Sequence, residues 1–253
     1  MNETNTENFH GFLLINKPEN YSSFDCIRYL KRILNQKIKI GHTGTLDNFA
    51  TGLLIICLGR NATKISNDLL NLDKEYIVTA KFGELTDTLD KTGKIIEQKN
   101  TNFLSKKDFE KAIKKLGKNY TQTPPIYSAL KYKGISLYKL AREKKWDTQT
   151  LEKITKYKKR KISIYNIELL NFNNPFFTIK TTVSKGTYIR SLSNDLSQLL
   201  SVPATTYQLQ RTKIGPIKLK NSINLEKIKN LENIKENIIS IGDLRNLLKN
   251  NTL

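Results

Sequence analysis

Chemistry is most concentrated in the segment from Gly41 to Gly52, GHTGTLDNFATG, where glycines 41, 44 and 52 frame Thr43, Thr45, His42 and one carboxylate, Asp47. No Gly-Lys-Ser/Thr closes it and no Gly-x-Gly-x-x-Gly runs through it, so it is neither a Walker loop nor a dinucleotide fingerprint. A nucleotide cofactor cradled by its phosphates is not expected. On residue type alone, Asp47 reads as a helix cap or turn aspartate before it reads as a catalytic one, and His42 as a loop histidine bonded to backbone. A second cluster is Ser184-Lys-Gly-Thr-Tyr-Ile-Arg190. If extended there, Tyr188 and Arg190 share a face by the two-residue period, and Gly186 leaves room for close backbone approach. The alternative is a strand-to-helix junction with Arg190 on the surface.

Both clusters need rigid elements to position them. Gly11–Asn16 reads as a short buried strand ended by Lys17-Pro18, and Ser22 with Asp25 fits a capping box ahead of a helix with apolar residues at 26, 29, 30, 33 and 34. Leu53–Leu58 is a buried strand, Asn61–Leu72 is helical, and Tyr76–Phe82 alternates with Tyr76, Val78, Ala80 and Phe82 on the apolar side. Further on come a helix over 105–117, a Pro- and Tyr-bearing extended stretch over 121–134, and a helix over 136–145. Residues 160–183 read as two strands around the turn 171–175. Thr187–Leu200 begins as strand and becomes helix, Tyr207–Ile214 is a strand, and two short helices, Ile223–Ile234 and Ile241–Leu248, fill the tail. The fold class is α+β, with a mixed, mostly antiparallel sheet flanked by helices and loops.

The chain has 253 residues and a formal net charge of +20. Its longest apolar run, Leu53–Leu58, is far short of the roughly 18 residues a membrane-spanning helix needs, and the first ten residues lack the pattern of a secretory signal. A cytoplasmic protein is expected. Two cysteines and two histidines offer no disulfide framework and no zinc site, so Cys26 and Cys57 are expected reduced, buried and inert. Only eight of the 43 basic residues are arginine, which suggests coding bias, but a uniform bias would spread the charge evenly. Instead, residues 1–100 hold 13 basic and 12 acidic side chains, residues 101–165 hold 18 and 5, and residues 166–253 hold 12 and 6. An excess of 18 − 5 = 13 in the middle points to a nucleic-acid face there, with Tyr120, Tyr127, Tyr132, Tyr138, Trp146 and Tyr157 interleaved to stack bases. Core tyrosines in a lysine-rich solvated region would look the same.

Gly41–Gly52 resembles the catalytic loop of the bacterial tRNA pseudouridine-55 synthases of the TruB type, and further family segments follow in order. Gly11–Pro18 is similar to the opening strand and Lys-Pro turn, Lys74-Glu-Tyr-Ile-Val78 to the strand bearing a base-stacking tyrosine, and Gln122-Thr-Pro-Pro-Ile-Tyr-Ser-Ala-Leu-Lys131 with Leu137–Arg142 to the central segment. Ser184–Arg190 resembles the family's Ser-Lys-Gly-Thr-Tyr-Ile-Arg motif. The resemblance implies the pseudouridine synthase fold over residues 11–215 and isomerisation of uridine 55 in the T-loop of tRNA, on a flipped-out base, without a cofactor or metal. It implies Asp47 as catalytic nucleophile, Arg190 as its ion-pair partner and Tyr76 as the ring stacked on the target base. His42 would wedge the base out, Tyr188 and Leu209 would line the pocket, and Lys17, Lys131 and Lys185 would bind substrate. About residues 101–160 become a basic insertion gripping the T-arm. A monomer with no obligate protein partner is expected. The competing readings are a non-catalytic tRNA-binding or folding protein on the same scaffold, a synthase for another RNA uridine, and, weakly, a nucleotide hydrolase.

Three departures stand out. Asn48 replaces the usual proline after the aspartate, which would have fixed φ, so loop rigidity is the expected casualty. Asn20 replaces a glycine, a swap asparagine tolerates at φ > 0, and Leu209-Gln-Arg-Thr212 lacks one of the family's two arginines. Residues 1–10 read as a polar tail. The short helical tail over 216–253 shows no run of strands of the kind a PUA domain needs, so that domain is expected to be absent.

Overall fold

A computed structural model describes residues 9–143 and 146–249 of the 253. The chain divides into two units, one holding residues up to Tyr76 together with Gln210 onward, the other Ile77–Leu209. Both boundaries fall inside strands.

In the first unit, Gly11–Lys17 (β1) pairs antiparallel with Thr51–Leu58 (β3), from Gly11 opposite Leu58 to Lys17 opposite Gly52, and Ile40–His42 (β2) pairs with β3 as well. These strands are continuous apolar runs because both faces are covered. One face, with Leu13, Ile15, Leu54 and Ile56, packs under helix Ser23–Leu34 (α1) through Cys26, Ile27, Leu30 and Leu34. The other, with Phe12, Leu14, Leu53, Ile55 and Cys57, meets Ala62 and Leu69. The predicted capping box starts α1: the Ser22 hydroxyl accepts from Asp25 N and the Asp25 carboxylate from Ser22 N. Both cysteines are free, and burial pushes Cys26 up to about 11 and Cys57 up to about 12, so neither is a thiolate at neutral pH.

The single helix expected over 61–72 is two, Gly59–Lys64 (α2) and Ser66–Asn71 (α3), broken at Ile65. Its end is closed by Lys74, whose ammonium donates to the carbonyls of Leu69, Leu70 and Leu72. Lys74–Phe82 (β4) alternates as predicted, with Tyr76, Val78, Ala80 and Phe82 buried, and carries the chain into the second unit.

There, Glu84–Thr86 (β5) and Ile95–Gln98 (β6) form a hairpin that the sequence reading did not foresee. Lys106–Leu116 (α4) turns Phe109 onto Phe82, Phe172 and Phe177, with ring centroids 4.5–6.0 Å apart. Asn119–Gln122 (β7) pairs with the strand formed by Arg160–Asn173 (β10), which pairs in turn with Phe176–Val183 (β11). Between them lie the short hairpin Lys131–Tyr132 (β8) and Ile135–Ser136 (β9), then Leu137–Arg142 (α5) and Thr148–Tyr157 (α6). These enclose a small core of Leu137, Leu140, Leu151 and Ile154. The helix predicted to run to Lys145 closes at Arg142, and Lys144 and Lys145 lie outside the described residues. Helix Ile189–Gln198 (α7) and strand Ala204–Ile214 (β12) follow.

Back in the first unit, Gln210 and Arg211 of β12 pair parallel with Thr51 and Gly52, Ile217–Lys218 (β13) folds back on β12, and Ile223–Asn224 (β14) runs parallel to β1. The tail predicted to begin with a helix at Ile223 therefore begins with a strand; its helices are Leu231–Asn237 (α8) and Ile241–Lys249 (α9). Most pairings are antiparallel, as the α+β class requires.

Candidate active site

The loop bearing Asp47 is held at almost every residue. Thr43 N donates to Ile55 O, Leu46 N to the Ser23 hydroxyl at the start of α1, and Ala50 N to Asp47 O. Asn48 O accepts from Asn20 N at 2.8 Å and from the Lys17 ammonium at 3.3 Å. Gly44 O accepts from Arg211 Nη2 at 3.1 Å, while Arg211 Nε donates to Leu53 O at 2.7 Å. Gly44 and Gly52 sit at φ +99° and +107°, and a Cβ on Gly52 would lie 2.4 Å from Arg211 O, so only glycine fits where the loop enters β3. At position 48 the loop is held through the asparagine carbonyl, which takes two of these bonds.

Two fully buried cations flank this loop. Lys17, expected among substrate-binding residues, is buried, with its ammonium on the carbonyls of Pro18 and Tyr21 as well as Asn48. It presents no charge at the surface. Burial pushes its pKa down to about 8, with Cys26 and Asp47 opposing the fall and Arg211 adding to it. Arg211, 1 % exposed, is likewise spent on backbone rather than held out to a phosphate. His42, at the end of β2, has its pKa lowered by burial first and by Arg211 second, so its ring is neutral at pH 7. Its Nδ1 and the Thr43 hydroxyl are buried without a hydrogen-bond partner among the described residues. Asp47 is half-buried and Tyr76 is 8 % exposed on the buried side of β4.

In the second unit, Arg190 is not on the surface. It is 4 % exposed, with Nη1 donating to Thr88 O at 2.6 Å and to Asp90 Oδ2 at 3.3 Å, and Nη2 to Tyr127 O at 2.9 Å. Asp90, which the sequence reading missed, is itself buried and organised: its Oδ1 accepts from Thr92 N, Thr92 Oγ1 and Thr88 Oγ1. The available signal was the Asp- and Thr-rich turn Asp87–Gly93, which reads equally as a capped loop. Tyr188 and Arg190 do not share a strand face, because α7 already begins at Ile189, with Tyr188 as its extended N-cap. The Tyr188 ring is half-buried under the Arg160 guanidinium, 5.1 Å from the ring centroid. Leu209 is buried, and Lys131 and Lys185 are exposed. The interleaved tyrosines divide: Tyr138 and Tyr157 are exposed, whereas Tyr120 turns inward and donates to Asp195 Oδ2 at 3.0 Å.

Burial raises Asp195 to about 6, with the Tyr120 bond opposing the rise. Above its ordinary value near 3.9 the unfolded chain gives up that proton first, so between about pH 4 and 6 the folded state binds more protons and stability falls as pH rises. The penalty is full above pH 6 and absent below about 4, a difference of about 3 kcal/mol. Asp195→Asn is expected to remove this slope, read as urea midpoints at pH 5 and 7.5 that converge relative to the unsubstituted protein. An unchanged difference between the two pH values would show that Asp195 titrates normally.

Among the described residues no group of three or more His, Cys, Asp or Glu side chains could hold a metal ion, and no helix is long and apolar enough to cross a membrane. Residues 31–189 match the family described as "TruB family pseudouridylate synthase (N terminal domain)". The chain is 44% identical over 230 residues to the tRNA pseudouridine synthase B of Clostridium tetani, covering 91% of this chain and 76% of that protein. It is 44% identical over 244 residues to the enzyme of the same name from Francisella tularensis, covering 96% and 77%. Among solved structures, one described as a Cbf5-Nop10-Gar1 complex superposes with a TM-score of 0.65 at 25% identity, covering 87% of this chain and 54% of that one. An H/ACA RNP bound to a substrate RNA gives 0.62 at 23% identity, covering 87% and 53%, a likeness of fold alone. The chain thus spans about half the length of those two.

Proposed function

The chain belongs to the TruB family of pseudouridylate synthases, and from that premise we propose that it isomerises uridine to pseudouridine in tRNA, at position 55 of the T-loop, with Asp47 as nucleophile. The observation that carries this reading is the identity with synthases acting on tRNA over nine-tenths of the chain, joined to a half-buried carboxylate on a loop pinned from five directions. In this isomerisation the N1–C1′ bond breaks, C5 joins C1′ and gives up its proton, and N1 takes up a proton, so atoms balance without an oxidant, reductant or water. What the protein must supply is position and charge.

Burial disfavours an ionised carboxylate. Lys17 interacts electrostatically with Asp47, and the resemblance assigns Arg190 to Asp47 as a further charge partner. Extruding the uridine costs a few kcal/mol, and one stacked ring returns about 1–3 kcal/mol, the role proposed for Tyr76. A neutral His42 suits a wedge against bases, since an uncharged ring loses less hydration on stacking. Tyr188 and Leu209 are proposed to line the pocket. Exposed Lys131 and Lys185, with the lysines of about residues 101–160, are proposed to meet T-arm phosphates.

The test is site-resolved mapping by carbodiimide labelling and primer extension on unmodified tRNA, with a transcript carrying cytidine at position 55 as control. A single stop at the T-loop uridine, lost in the control, is the expected result. A stop at another uridine would move the reading to a different target, and no stop despite tight binding would leave an RNA-binding protein on this scaffold.

A further inference from the structure

Helix α7 starts without a cap of its own. Its N-cap residue is Tyr188, whose side chain makes no capping bond, in a position where Ser, Thr, Asp or Asn normally sets the first turn. Something else must fix where the helix begins, and with it the direction in which Arg190 leaves the backbone. The Tyr188 carbonyl accepts from Leu192 N as the first helical bond, but that bond alone lets the turn fray.

The missing constraint comes from β7. Gln122, fully buried, closes its carboxamide on the backbone of Tyr188 from both sides: Tyr188 N donates to Oε1 at 2.8 Å, and Nε2 donates to Tyr188 O at 3.1 Å. The second Nε2 hydrogen goes to Tyr120 Oη at 2.8 Å, whose own proton goes to Asp195. Tyr120 and Gln122 are two apart on a strand and share a face, while Tyr188 and Asp195 are seven apart, two turns along the helix side. β7 is therefore bolted to α7 at two points. The following segment continues the row, Thr123 O accepting from the Ser191 hydroxyl and Tyr127 O from Arg190. Every polar atom of the amide is used, and only an amide fits, since the site asks for one acceptor and two donors in a fixed order.

We propose that Gln122 is a positioning residue for the reaction: its amide substitutes for the absent helix cap and sets the placement of Tyr188 and Arg190. This rests on the synthase reading above and adds to it a residue that touches neither substrate nor reacting atoms. A displacement of about 1 Å at a catalytic group costs on the order of 100-fold in rate, which sets the scale. Gln122→Met keeps length and bulk without hydrogen bonds; Gln122→Glu keeps the shape but turns a second acceptor onto the Tyr188 carbonyl. Tyr120→Phe cuts the outer bolt and leaves the amide on Tyr188.

The experiment is single-turnover pseudouridine formation and tRNA binding for the unsubstituted protein and these three variants, with thermal melts alongside. The expected result is a rate loss of about 30- to 100-fold for Gln122→Met and Gln122→Glu with Kd within about threefold, and a loss under about fivefold for Tyr120→Phe even where its melting point falls as far. Should one Gln122 variant fail to fold, the other decides. Rates that follow melting points equally across all three variants, or losses carried wholly in Kd, overturn the proposal, as does failure of both Gln122 variants to fold, which would make the residue a general stabiliser. No product from the unsubstituted protein would instead sink the functional reading.

Discussion

Asp47→Asn is expected to abolish turnover, lowering kcat by about 10⁴-fold or more, the scale on which removal of a nucleophile is felt, while tRNA Kd stays within about threefold. Asparagine matches the shape of aspartate and keeps an acceptor oxygen, so the loop, whose anchors at Thr43, Gly44, Leu46, Asn48 and Ala50 are all backbone groups, should hold its form. What is lost is the charge and the oxygen proposed as nucleophile. One further change is specific to this chain. Asp47 helps keep Lys17 protonated against burial, so the substitution is expected to drive the Lys17 pKa below its present value of about 8. Nucleoside analysis of digested tRNA measures the first effect and filter binding the second. Residual turnover within a hundredfold of normal would mean that another group performs the covalent step.

The parts of the fold that were legible are those whose residues carry their own signal. Leu53–Leu58 is apolar throughout and had to be buried, the Ser22–Asp25 box announced α1, and β4 shows its period over nine residues. Ile223–Asn224 was read as helix because two residues are too short to display a period, and the pairing that makes them a strand is with β1, more than two hundred positions away. Asp147 caps α6, but the lysines around it masked the apolar spacing of Leu151 and Ile154. In the site, the family resemblance rather than residue type made Asp47, Tyr76 and Arg190 candidates, and residue type fails where a side chain's role depends on a distant partner. Asp90 looks like any turn aspartate until Arg190 is seen against it. The resemblance makes Lys17 a substrate-binding candidate and gives Arg211 no role, and only the fold shows both turned inward onto carbonyls. Gln122 lay inside a quoted motif with no role, because its partner is backbone, which has no sequence signature.

Arg211→Met is expected to destabilise the protein by about 3–5 kcal/mol and to slow turnover by about 10- to 100-fold. The first figure follows from stripping donors from two carbonyls, the buried Leu53 O and the partly buried Gly44 O, at about 1–3 kcal/mol each, beside a side chain too well packed for water to replace it. The second follows from freeing the Gly44 end of the loop three residues before Asp47. Urea denaturation and single-turnover assays read these, but neither separates the guanidinium's charge from its geometry. His42 does. Arg211 lowers the His42 pKa, and the chain has only two histidines, so a proton NMR titration resolves them. In Arg211→Met, His42 is expected to titrate at higher pH than in the unsubstituted protein. Arg211→Lys retains the charge but, as a point donor on a flexible stem, cannot span both carbonyls as the rigid fork does. It is expected to leave His42 low and still slow the reaction. If instead lysine restores the full rate, charge alone is what the loop requires of position 211, and the two hydrogen bonds to its backbone are incidental.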